Sequence, residues 1–224
     1  YRLRVVYGMK FRKFEGLQEL IDKSTLYIQD TDHKTHLFIL YLVQIQLFLH
    51  TGHIKEAKKV FTEVEKFLEK NKGIATFYTH FLIVKIQLNL ELLETSEKKG
   101  ENNKKVIREL LKTSNKLISK SKKFIINLTE AYLLKSRIFI YRQRFKKAYE
   151  YLQLAISTGE KFNARLELSR AYFETGKFLS DPSNKYKELK GQKADYFLEK
   201  AKTMFEEMDL QWDLEEYQNY INGQ

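Results

Sequence analysis

A short helical phrase recurs along the chain: a small or apolar residue, a large apolar residue four positions on, then another small or apolar residue three further. Ala57-Phe61-Val64, Ala148-Leu152-Ala155 and Ala194-Leu198-Ala201 carry it most cleanly, and Leu17-Ile21-Ser24 and Ile107-Leu111-Ser114 are looser copies. Their first residues are 40, 50, 41 and 46 positions apart. Steps of four and three keep all three side chains on one helix face, so each phrase is a contact stripe. The small residue lets a partner helix come close, and the large one fills the groove beyond. Self-similarity at a spacing of roughly 30–50 residues marks stacked helical hairpins. Chains of that kind bind more often than they catalyse.

Composition agrees with an all-α chain. Pro182 is the only proline and there are nine glycines in 224 residues, so helices are rarely interrupted. The absence of cysteine excludes disulfides, thiolate metal sites and cysteine nucleophiles. It suits a reducing compartment, and a cytoplasmic location is expected. The most apolar stretch, Leu37 to Leu49, is broken by Gln44 and Gln46 and falls short of the ~20 residues a membrane span needs. The opening Tyr1-Arg2-Leu3-Arg4 has no apolar stretch behind it, reads as the inside of a helix, and points to a fragment of a larger protein.

Turn signals divide the chain. Helices are expected over Tyr1 to Phe11, Phe14 to Ile28, Thr35 to His50, Ile54 to Glu69, Ile74 to Glu94, Lys104 to Lys122, Leu128 to Tyr141, Phe145 to Thr158, Phe162 to Thr175, Lys193 to Glu207 and Leu210 to Ile221. Thr31 or Asp32 is a candidate N-cap for the third, and Gly52 and Gly176 are read as stops after helices. Lys177 to Gly191, with the turn sequence Asp181-Pro182-Ser183-Asn184, is an insertion. The stretches Leu37 to Val43 and Phe81 to Val84 are apolar nearly all round, as expected of helices packed on several sides. The last helix carries a polar, acidic surface.

The net charge is +11, and its excess is local. Between Lys98 and Lys123 ten basic residues stand against Glu101 and Glu109. Lys104, Arg108, Lys112, Lys116 and Lys120, spaced by four, form a basic ridge along one helix. Such a ridge serves as a solvated outer face or as a footprint for an acidic partner, phosphate backbone or anionic lipid. It carries no aromatic side chains of the kind that stack on bases, which makes nucleic acid the less favoured partner.

Catalytic chemistry is not signalled. No phosphate-binding glycine loop occurs. His33 with His36, and His50 with His53, are three apart but straddle helix ends without a third ligand. Ser24, Ser114, Ser136 and Ser169 occupy tight-packing positions as spacers, and no carboxylate stands alone in an apolar run. No metal, cofactor or enzymatic activity is expected.

In their order, the residues resemble the tetratricopeptide repeat family. Tyr41, Ile45, Phe48, Gly52, Ala57, Phe61 and Val64 fit its frame; so do Tyr132, Ser136, Phe139, Ala148, Leu152 and Ala155. Ser169, Tyr172 and Gly176, followed after the insertion by Ala194, Leu198 and Ala201, make a third copy. The departures are the missing closing proline and a unit of 40 or more residues against roughly 34 in the family. Long repeats of this sort are similar to those near the C-termini of large bacterial signalling proteins, behind an ATPase module, as in maltose-regulator-type activators and some cyclase or kinase polypeptides. Ala171 to Gly176, Leu198 to Met208 and Trp212-Asp213-Leu214 carry that likeness.

The resemblance implies one domain over 1–224: a right-handed α-solenoid of about five antiparallel helix pairs plus a final helix. Its repeats would span 1–30 (partial), 35–71, 74–123, 127–159 and 161–207, followed by a C-terminal helix over 210–222. It also implies a concave groove. Carried over residue by residue, the lining positions are Gln46, His50, Tyr78, Lys85, Glu130, Arg137, Tyr141, Asn163, Arg170 and Glu174. Arginine and tyrosine on such a wall suit peptide or carboxylate capture; alternatively Arg137 and Arg170 pair with acids such as Glu167 and Glu174. The implied function is a non-catalytic interaction and regulatory scaffold that binds a protein or peptide, or self-associates. The alternatives are a small-ligand sensor in a transcription regulator, and nucleic-acid binding through the ridge.

Overall fold

The computed structural model describes residues 2–29, 33–71, 77–95, 101–122 and 125–223. Among them are eleven α-helices: α1 (Arg2–Lys10), α2 (Leu17–Gln29), α3 (Lys34–His50), α4 (Ile54–Lys70), α5 (Tyr78–Glu94), α6 (Glu101–Ser121), α7 (Leu128–Tyr141), α8 (Phe145–Phe162), α9 (Arg165–Ser180), α10 (Ala194–Glu207) and α11 (Gln211–Asn222). Between α9 and α10 lies a two-stranded hairpin, β1 (Glu188–Leu189) and β2 (Gln192–Lys193). The expected all-α repeat of helix pairs is therefore what forms, and none of its described helices is long and apolar enough to cross a membrane. The Thr31/Asp32 cap lies outside the described residues. The chain divides into two compact units, Tyr1–Lys99 and Gly100–Gln224.

In the first unit α3 is central. Phe38, Ile39, Leu40, Leu42, Val43, Ile45 and Leu47 are all buried because α3 packs on α1, α2, α4 and α5. A helix touched from several sides has no polar stripe to display, which explains the unbroken apolar run. By contrast α4 buries one face, Ala57, Phe61 and Val64, with Phe61 stacked 5.6 Å from Phe81.

In the second unit the phrase works as a packing stripe on α8, where Ala148, Leu152 and Ala155 are buried, and on α10, where Leu198 and Ala201 are buried and Ala194 is half-buried. On α6 the stripe is rotated: Leu110, Ser114, Leu117 and Ser121 are buried, while Ile107 and Leu111 are only half-buried. Two glycines extend the small-residue logic. A Cβ on Gly159 would lie 2.9 Å from Leu168 Cδ1, and one on Gly176 would lie 2.6 Å from Leu198 Cγ. Gly176 is therefore not a stop, since α9 runs on to Ser180. Its missing side chain is the space into which Leu198 of α10 fits.

One backbone turn, also seen after α1 at Arg12, leads directly into the next helix at four junctions. A residue in left-handed conformation, Gly52 (φ 77°), Gln143 (φ 54°), Asn163 (φ 49°) or Asp209 (φ 52°), follows the helix. The next residue's N–H then donates to the carbonyl five positions back: His53 to Phe48 at 2.8 Å, Arg144 to Phe139 at 2.9 Å, Ala164 to Gly159 at 3.0 Å and Leu210 to Phe205 at 2.9 Å. Those four residues then start the following helix from nearly equal dihedrals, φ between −80° and −94° and ψ between 59° and 72°. Only one of the four uses glycine. The left-handed conformation costs an L-residue about 1–2 kcal/mol, partly offset by glycine's larger unfolded-state entropy. Gln143→Gly should accordingly stabilise the chain by about 0.5–1 kcal/mol, and Gly52→Ala should destabilise it by a similar amount. Denaturant unfolding midpoints check both signs.

Candidate functional site

In the first unit the family-based positions lie on α3 (Gln46, His50) and α5 (Tyr78, Lys85). Gln46 is joined by two residues of α5: His80 Nε2 donates to Gln46 Oε1 at 2.8 Å, and Gln46 Nε2 donates to Gln87 Oε1 at 2.9 Å. Tyr78 and Lys85, two residues earlier than His80 and Gln87, fall on another side of α5. There Lys85 Nζ reaches Glu65 of α4 at 3.4 Å. His50 stacks on Phe14 with ring centroids 5.5 Å apart.

The polar chain His80–Gln46–Gln87 was missed because the α5 register rests on a helix start that the flanking residues do not signal. Burial, with the charge of Lys10 added, pushes His80 down to about 4 from the usual 6.5. In the unfolded chain His80 takes up a proton near pH 6.5, whereas the folded chain resists it until about pH 4. Stability is therefore full above the unfolded value and falls as pH drops through that window. Thermal unfolding across it should show a shallower slope for His80→Gln than for the parent chain; equal slopes would exclude His80 as the group responsible.

In the second unit the first helices of successive pairs carry a row of charge. Arg170, Glu174 and Lys177 share one face of α9 by their spacing of four and three. Arg170 grips Asp213 of α11 with two parallel bonds, Nε to Oδ1 at 2.9 Å and Nη2 to Oδ2 at 3.0 Å. Asp213 is 2% exposed against 21% for Arg170. Arg170 thus has an acidic partner on α11, and the expected acidic surface of that helix turns its first carboxylate inward. Lys177 donates to Glu174 at 2.9 Å. Glu174 first, then Glu216 of α11, hold Lys177 charged against its burial and against Arg137 of α7.

Tyr141, at the end of α7, and Glu130 are half-buried. Asn163 is not in a helix but is the left-handed, exposed turn residue between α8 and α9, a conformation asparagine tolerates. Asp213, Lys177 and Glu216 are the residues the sequence reading missed. A lone acid between Trp212 and Leu214 was the available signal for the first.

The Arg170–Asp213 pair ties α11 to α9, alongside Phe173 packed 5.8 Å from Tyr217. Removing one partner of a buried pair strands the other charge. Arg170→Leu should cost about 2–4 kcal/mol, and Arg170→Leu with Asp213→Leu should recover most of it. A double-mutant cycle by chemical denaturation measures this.

The basic ridge is exposed at all five positions, Lys104, Arg108, Lys112, Lys116 and Lys120. It is not straight. Each step of four residues turns the side chain by about 40°, so the ridge winds roughly 160° around α6. Arg108, Lys112 and Lys116, with Lys105 between them in angle, form its outermost part. The candidate serines are spacers satisfied within their own helices: Ser24 donates to Leu20 O, Ser114 to Leu111 O, Ser136 to Leu133 O and Ser169 to Leu166 O. His33 and His36 meet edge to face at 5.3 Å, and His53 Nδ1 lies 2.9 Å from Thr51 Oγ1. Among the described residues no group of three or more His, Asp or Glu side chains is placed to hold a metal ion. Compared with known proteins, the chain matches no family model, no curated relative and no solved structure.

Proposed function

We propose that this chain is a non-catalytic interaction module, a tetratricopeptide-like scaffold within a multidomain signalling protein, that binds a partner segment on the charged face of α7 and α9. The row of Arg137, Glu174 and Lys177, continued onto α11 by Glu216, carries the reading. It sets both signs of charge side by side on α7, α9 and α11, an arrangement that fixes the register of a polar segment laid across it. Arginine and tyrosine, here Arg137 and Tyr141, are the side-chain types that dominate binding energy at interfaces. Arg170 belongs to the support of this face, because its guanidinium is committed to Asp213.

The test is selection of binders from a random peptide display library against the 224-residue chain. Selected peptides should lose about tenfold or more in affinity with Arg137→Glu or Tyr141→Ala, with helicity unchanged by circular dichroism. They should be indifferent to Lys112→Glu on the outer face of α6. An empty selection, or binders insensitive to Arg137 and Tyr141, would overturn the proposal.

A further inference from the structure

A second concave surface lies at the other end of α8 from Asn163. Between the α7–α8 turn and the segment that follows α9 is a cleft of about 530 Å³, open to solvent along much of its length. Its lining includes four cations, Arg144, Lys146, Lys147 and Lys185, and two aromatic rings, Phe145 and Tyr186, with no carboxylate. Lys147 pairs with Glu150 at 3.2 Å in an exposed geometry that contributes little. Clustered like charges with so little internal compensation create a positive potential focused by the concave wall.

The wall is built rather than loose. Asn184 is buried; its Nδ2 donates to Phe178 O at 2.7 Å and its Oδ1 accepts from Tyr186 N at 2.7 Å. Asp181 Oδ1 accepts from Ser183 N at 2.8 Å. The ring of Tyr186 stacks 4.8 Å from Tyr149 and lies 6.5 Å from Phe178. Behind it the β1–β2 turn, Lys190-Gly191, has positive φ at both central residues, as a tight type I′ hairpin requires, and Leu189 is buried. The insertion thus holds Lys185 and Tyr186 in place opposite Arg144 and Phe145.

We propose that this cleft binds a short acidic peptide segment, its carboxylates on Arg144, Lys146 and Lys185 and one aromatic or large aliphatic side chain against Phe145 and Tyr186. The proposal rests on the reading of the chain as a peptide-binding scaffold, and adds a second site with its own ligand chemistry. A lone phosphate would meet the cations but leave the aromatic floor in water.

The probe is a fluorescein-labelled Glu-Asp-Phe-Asp-Glu peptide, read by anisotropy against the full chain. Arg144→Glu with Lys185→Glu should weaken it about tenfold or more, while Lys112→Glu with Lys116→Glu, the same change in net charge, should leave it within about twofold. Replacing the probe's phenylalanine by glycine should weaken binding about fivefold or more. Equal losses in the two double variants, indifference to the phenylalanine, or displacement by equimolar inorganic phosphate or a single-stranded oligonucleotide would overturn the proposal. If library-selected peptides still depend on Arg137 while this probe fails to bind, the cleft assignment falls alone.

Discussion

The direction of one helix after another rests on a single backbone event, the left-handed turn that closes α3, α7, α8 and α10. With its carbonyl-to-amide bond over five residues, it satisfies a helix end and releases the chain at the same dihedrals each time. Paired helices then meet at an orientation that small residues can exploit. Ala148 and Ala155 bring helices together on α8, and the bare Cα of Gly176 admits Leu198. Packing and turn reinforce one another, because a helix leaving its turn at another angle would carry its stripe away from the partner surface.

Charge is arranged on top of that framework. Where helices α9 and α11 meet, Asp213 is nearly dry and its pair with Arg170 is structural. Along the same face, Glu174, Lys177, Glu216 and Arg137 are half-buried and mutually compensating. The cleft beside the α7–α8 turn differs in kind, since its cations converge around an aromatic floor without carboxylates in the lining. A self-compensated surface favours a ligand that matches its alternation, whereas an uncompensated one attracts net negative charge.

Much of the architecture was legible in the residues. Ala57-Phe61-Val64 and Ala148-Leu152-Ala155 announced their buried faces, and Leu37 to Val43 announced a helix enclosed on several sides. The places of the turns were legible but their shared conformation was not, because Gln143, Asn163 and Asp209 take the same conformation as Gly52 without sharing its chemistry. Gly176 misled for the converse reason: glycine serves both chain reversal and close approach, and local sequence does not separate the two. Of the site, the polar row across α3 and α5 was not legible: the partners of Gln46 are His80 and Gln87, and two residues' difference from Tyr78 and Lys85 rotates a helix by about 200°.

The sequence by itself determined that this chain is of the all-α class, which faces of α4, α8 and α10 are apolar, and where its basic charge is concentrated. These are local properties, encoded in spacing and side-chain type. Tertiary structure alone decided that Arg170 takes Asp213 as its partner, that His80 joins Gln46, and that Lys185 and Tyr186 stand opposite Arg144 and Phe145. Each of those pairings joins residues more than thirty positions apart in the chain. Such encounters depend on turn geometry and interhelical packing, which a helix's own periodicity does not specify.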